Sequence, residues 1–129
     1  SQALRHRQFL RLLDDPDASV LDLGCGHGDF LAFLRAQGHR GAFAGWDVAA
    51  PMIAAARAAH PDASWHVGAE PDAPMDYAIA SGVLNVKGAR GEAAWQAHVD
   101  SVLEVLARSG RRGFGVNMLS LWSDAGRRS

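Results

Sequence analysis

Val20-Leu21-Asp22-Leu23-Gly24-Cys25-Gly26-His27-Gly28-Asp29-Phe30 is the stretch whose reading decides the fold. A short apolar run stops at three glycines on alternate positions, and an apolar helical pattern begins at Phe30. Strand, glycine turn and helix in that order are how an α/β sheet brings backbone close to a nucleotide-like ligand. A side chain in such a turn would block the approach or forbid the backbone dihedrals, hence glycine.

Outward from this turn, strands and helices alternate. Towards the amino terminus, Leu4, Phe9, Leu12 and Leu13 fall among Arg5, Arg7 and Arg11, which predicts a helix over Gln2–Leu13 ending at Asp14-Asp15-Pro16. Towards the carboxyl terminus, Ser19–Leu23 reads as the first strand and Asp29–Gln37 as the following helix, stopped by Gly38. Ala42–Trp46 is a second strand, and Pro51 opens an alanine-rich helix over Met52–Ala59. Ser64–Val67 is a third strand. Gly68–Met75 is too proline-rich to hold a crossover helix, and Asp76–Ser81 is a fourth strand. After a turn over Gly82–Gly91, Trp95, Val99, Val102, Leu103 and Leu106 stripe a long helix over Glu92–Arg108, with Gly110 as its stop. Gly113–Leu119 is a fifth strand, and Ser120–Ser129 has no periodicity. The three tryptophans Trp46, Trp65 and Trp95 read as core or rim packing, and Trp122 as a lid or a remnant of packing.

This alternation predicts a three-layer αβα sandwich, a mostly parallel, doubly wound, Rossmann-like sheet of about five strands in a single domain. The 129 residues are 48% hydrophobic and 21% charged, the composition of an ordinary globular chain. A net charge of −1 gives no reason to expect a nucleic-acid partner. No apolar run is long enough to span a membrane, no leader is read at the start, and the single cysteine allows no internal disulfide, so a cytoplasmic setting is expected. The six histidines and Cys25 show no metal-ligand spacing, and no metal is expected.

The glycine spacing discriminates between cofactors. A dinucleotide turn calls for G-x-G-x-x-G, whereas here it is G-x-G-x-G followed by Asp29, which would repel a pyrophosphate at the helix start. Asp47 follows about twenty residues later, where an acid can accept hydrogen bonds from ribose hydroxyls.

Asp22-Leu-Gly24-Cys-Gly26-His-Gly28 resembles the first motif, D-x-G-x-G-x-G, of class I S-adenosylmethionine (SAM)-dependent methyltransferases. Gly45-Trp-Asp47-Val48 with Pro51-Met52-Ile53 is similar to that family's second-strand acid and the helix after it. Ala80-Ser81-Gly82-Val83-Leu84-Asn85 is similar to its fourth-strand motif. The resemblance implies SAM as cofactor, S-adenosylhomocysteine as product and methyl transfer as the activity, with a small molecule as the expected acceptor. It also implies that the turn Gly24–Gly28, with Gly24, Cys25 and Gly26 as its binding residues, brings backbone against the methionine part, that Asp47 holds the ribose and that Val48 packs on the adenine. Ala69 and Glu70 match the loop that reads the adenine edge, although Ala69 intervenes where the family often has an acid directly after glycine. Ser81 and Gly82 would lie near the amino-acid end and the transferable methyl.

Other residues have two readings each. Asp22 approaches the cofactor's ammonium or orders the turn, and His27 and Asn85 contact the acceptor or serve the loops that carry them. Cys25 is a small turn residue or a nucleophile, and no partner histidine is placed by spacing. No catalytic base can be named. The family's usual antiparallel strand pair after the fifth strand has no counterpart, so the chain is expected to be a truncated or minimal form, its open edge covered by a second copy or another edge-strand contact. Two other functions stand beside methyl transfer: a non-catalytic cofactor-binding or partner module, and an NAD(P)-binding oxidoreductase domain lacking any recognisable hydride-handling set.

Overall fold

The computed structural model of the protein describes residues 14–81 and 91–116. The helix predicted over Gln2–Leu13, the positions Gly82 and Asn85, and the tail with Trp122 lie outside the described residues. Within them the chain runs β1 (Val20–Leu23), α1 (Asp29–Ala36), β2 (Phe43–Asp47), α2 (Ala50–Ala59), β3 (Ser64–Val67), β4 (Met75–Ala80), α3 (Gly91–Ser109) and β5 (Gly110–Val116). The strands form one sheet in the order β3-β2-β1-β4-β5, and every pairing is parallel. The expected Rossmann-like architecture is present.

Alternation along the strands sends side chains to two cores, as the period of two requires. Val20, Phe43, Trp65 and Ile79 pack with Phe30, Leu31 and Leu34 of α1 and Ile53 and Ala56 of α2. Leu21, Ala78, Ala80 and Val116 pack with Leu106 of α3 on the opposite face. Each fully buried Leu, Ile or Phe contributes on the order of 1.5–3 kcal/mol. Trp65 lies in the first core with its Nε1–H donating to the His60 carbonyl at 2.8 Å. Trp46 and Trp95 are partly buried against the second.

One connection departs from the alternating rule. Between β3 and β4 there is no helix, as the prolines at 71 and 74 foretold. The face opposite α1 and α2 is therefore covered by α3 and by the loop after β3, with the Trp46 and His66 rings stacked at 4.6 Å towards its β3 side.

The fifth strand corrects the sequence reading. It starts at Gly110, directly after α3, rather than at Gly113. Met75 pairs with Gly110 and Tyr77 with Gly113, so β5 carries one extra residue over this interval, a bulge. A Cβ on Gly110 would fall 2.1 Å from the Gly113 carbonyl oxygen. This glycine therefore serves a close backbone approach as well as ending the helix. Arg111 and Arg112, within the part of the strand that was not predicted, are exposed and paired with Asp76 and Asp15.

Candidate functional site

Chain direction reverses between β1 and β4. From β1 the chain moves towards β2 and β3, and from β4 it moves towards β5, so a crevice opens between their carboxyl ends. The glycine turn sits over this crevice. The N–H groups of Gly24 and Cys25 both donate to the Trp46 carbonyl, at 2.7 and 3.0 Å, which pins the turn to β2. Gly24 and Gly26 have φ of 79° and 57°, and a Cβ on either would meet nothing within 4 Å. The space beside them is open.

Gly28 has a different task. Its φ is 101°, and a Cβ there would come within 2.8 Å of the His60 ring and 3.1 Å of the Trp65 ring. The third glycine thus lets α1 start hard against α2 and β3, while the first two leave room for a ligand.

Asp47, at the end of β2, organises the site. One carboxylate oxygen accepts the Gly26 N–H at 2.9 Å and the other accepts the Ala49 N–H at 2.9 Å, the latter an Asx turn leading into α2. A carboxylate offers about four acceptor positions, so two remain for a ligand.

Asp22 is engaged elsewhere. It is fully buried, accepts the Ser81 N–H at 3.0 Å and the Ser81 hydroxyl at 2.5 Å, and so fastens the end of β1 to the end of β4. Burial pushes its carboxyl up to about 7, against the two Ser81 hydrogen bonds, which favour the charged form. The expected ordering of the turn by Asp22 is not what the geometry displays: both hydrogen bonds to its carboxylate come from Ser81 on β4, while the N–H groups of Gly24, Cys25 and Gly26 go to Trp46 and Asp47.

A cavity of about 450 Å³ opens at this edge, lined among the described residues by Leu23, Gly24, Asp47, Val48, Gly68, Ala69 and Glu70, by Ala80, and by a stripe of α3. Val48 is 72% exposed beside it. The structure therefore brings Gly24, Asp47, Val48, Ala69 and Glu70 to one cavity. Glu70 contributes to the wall, but its carboxylate lies 2.6 Å from Arg108 Nη2 on α3. Cys25 is buried, its Sγ 3.4 Å from the Gly26 carbonyl, and burial drives its thiol far above the range in which it ionises. It is a packing residue rather than a nucleophile. His27 is exposed on the turn, 3.2 Å from Asp29, which occupies the first turn of α1.

The α3 stripe, His98, Ser101, Val102 and Val105, was not singled out as part of a site. Val102 was read as core, and the others sit beside the more apolar stripe. A signal existed in the i, i+3, i+4, i+7 spacing of these four residues, which gives α3 a second face. Among the described residues no group of His, Cys, Asp and Glu is gathered to hold a metal, and no helix is long and apolar enough to cross a membrane.

Comparison with known proteins agrees with this geometry. Residues 2–88 match the family described as methyltransferase domain. A Mycobacterium tuberculosis protein named Putative methyltransferase Rv1506c is 36% identical over 120 residues, covering 90% of this chain and 72% of its own length. The chain belongs to the methyltransferase domain family. Two solved structures share the fold of this methyltransferase-family chain. A TehB-like SAM-dependent methyltransferase from Corynebacterium glutamicum superposes with a TM-score of 0.57 at 24% identity over 82% of the chain. An amino pentose methyltransferase from Micromonospora echinaspora gives 0.57 at 24% identity over 81%. The chain spans 58% and 44% of the lengths of these two proteins.

Proposed function

We propose that this methyltransferase-family chain transfers a methyl group from SAM to a small-molecule acceptor. The observation that carries the reading is the junction of the glycine turn with Asp47 at the mouth of the cavity. The residues fit the cofactor: open space beside Gly24 and Gly26, unfilled acceptor positions on Asp47, and the exposed apolar side chain of Val48. The amino pentose methyltransferase was solved with SAM bound, and a plantazolicin methyltransferase of the same fold with S-adenosylhomocysteine.

When bound, SAM supplies an activated methyl on a sulfonium centre, with the leaving group already built in. The protein's work is then alignment and exclusion of water. Asp47 would accept the ribose hydroxyls. The turn Gly24–Gly26, held rigid by Trp46 and Asp47, would place backbone along the amino-acid portion. Val48 would cover one face of the base. Ser81, fixed by Asp22 at the end of β4, would border the reacting end of the cofactor, with Gly82 after it. The acceptor would enter near His27, exposed on the glycine turn; Asn85, the other expected contact, lies outside the described residues. Asp29 at the head of α1 weighs against a pyrophosphate and so against NAD(P). Net charge near zero supports a small acceptor over nucleic acid, and a lone buried cysteine supports a cytoplasmic setting.

Calorimetric titration with SAM, S-adenosylhomocysteine and NAD tests the reading. Micromolar binding of the two sulfur ligands, weakened about 10–100-fold in Asp47→Ala, is expected. Binding of NAD alone would overturn it. Cofactor binding without methylated product across an acceptor screen would favour the non-catalytic module.

A further inference from the structure

One wall of the cavity has no part in the reading above. His98, Ser101, Val102 and Val105 present a single stripe of α3 to the space that Asp47 and Val48 also line. α3 returns antiparallel to the strands, so His98 and Ser101 lie towards the mouth at the carboxyl edge. Val102 and Val105 follow further along the helix, and Val102 and Leu23 pack against the core that holds Ala80. The absence of a helix between β3 and β4 leaves the loop Gly68–Glu70 as the neighbouring wall on this face. The acid on that loop is engaged: Glu70 pairs with Arg108 at 2.6 Å, and Arg108 also lies 3.4 Å from Glu104.

The composition of the wall matches a flat heteroaromatic ring with a polar edge. Val48, Leu23, Val102 and Val105 offer apolar contact to its faces. A neutral imidazole carries one donor and one acceptor, and a serine hydroxyl serves as either. An adenine edge needs that combination, since its exocyclic amine donates and its ring nitrogens accept. We infer that His98 and Ser101 read the polar edge of the cofactor's base, while the exposed Glu70 carboxylate on the neighbouring loop is shared with Arg108. The inference rests on the cofactor reading proposed above. It makes His98 and Ser101 determinants of base specificity on α3, outside the three motifs that carry the resemblance.

A site that hydrogen-bonds a substrate group rejects the analogue lacking it, because its own polar groups are left unpaired. The test is calorimetry on the full chain with S-adenosylhomocysteine and with S-inosylhomocysteine, in which a carbonyl replaces the 6-amino group. The wild type should favour the adenosine ligand by about tenfold or more. His98→Ala and the double variant His98→Ala/Ser101→Ala should weaken that ligand and bring the preference to within about twofold, while Glu70→Ala should keep it. His98→Gln, which restores a donor and an acceptor, should recover part of it. Equal preference in the wild type and the α3 variants would overturn the inference and leave the cofactor reading standing. So would a collapse of preference in Glu70→Ala alone. Failure of the wild type to bind either ligand would overturn both. His98 and Ser101 are not core residues, so thermal melts of the variants should match the wild type.

Discussion

At the amino edge of the sheet, charged side chains do the fastening. Arg112 lies 2.6 Å from Asp15 and 5.0 Å over the Tyr77 ring, and Arg111 lies 3.3 Å from Asp76. Asp76 and Ser19 exchange two hydrogen bonds, at 3.0 and 2.8 Å, across the starts of β1 and β4. The carboxyl edge is held by backbone donors instead: Gly24 and Cys25 on the Trp46 carbonyl, Gly26 and Ala49 on Asp47, Ser81 on Asp22. Backbone fastening leaves the space beside the turn free of side chains, which a ligand site requires. At the other edge the fastening rests on solvated ion pairs instead.

If the two edges differ in this way, substitutions should separate them. The largest effect is expected for Asp47→Ala, which removes a ligand acceptor and the clamp on the glycine turn together. Affinity for S-adenosylhomocysteine should fall by about 10–100-fold, since a hydrogen bond to a charged group is worth roughly 1.5–3 kcal/mol. Titration calorimetry reads it, and an unchanged affinity would remove Asp47 from the site. Next in size is Gly28→Ala. A left-handed non-glycine residue costs on the order of 1–3 kcal/mol, and the added methyl would also press on His60. The melting temperature should drop by about 4–12 °C, whereas an unchanged melt would show that α1 can reseat.

The edges should also respond oppositely to pH. Buried Asp22, raised to about 7, holds a proton that the unfolded chain releases from about pH 4 upward. Stability from this group is therefore present in acid and falls as pH rises towards 7. His39, buried in the α1–β2 connection at the amino edge, is shifted the other way, by burial first and Arg35 next. The unfolded chain takes up that proton first, so stability falls as pH drops below about 6.5. Below about pH 6.5 the two contributions oppose each other, so variants separate them in melting curves from pH 4 to 8. Asp22→Asn should remove the loss on raising the pH and His39→Gln the loss on lowering it, and a variant whose pH profile overlays the wild type would refute its assignment. The smallest effect belongs to Arg112→Ala. Exposed ion pairs are screened, so a loss of about 1–3 °C, vanishing in high salt, is expected.

The contrast also marks which parts of the molecule could be read in advance. The turn Gly24–Gly28 announces itself because its backbone demands are local and glycine meets them wherever the chain lies. Asp47 is legible because an acid closing the second strand has one place to go in a parallel sheet. The start of β5 was not, because its arginines are balanced by Asp15 and Asp76, which only folding brings near. The partner of Asp22 was not legible either: Ser81, 59 residues away, meets both its oxygens, and no local pattern pairs the two.

By itself, then, the sequence determined what depends on short-range periodicity and conformational freedom: five strands, the helices between them, the glycine turn and the family. Only the tertiary structure decided which polar groups are engaged and which face a cavity. Glu70 looks available in sequence and is paired with Arg108 in space, while His98 and Ser101 pass for helix surface until the loop after β3 folds beside them. Hydrogen-bond and ion-pair partners across long separations are set by packing, and packing is settled only when all the elements are in place.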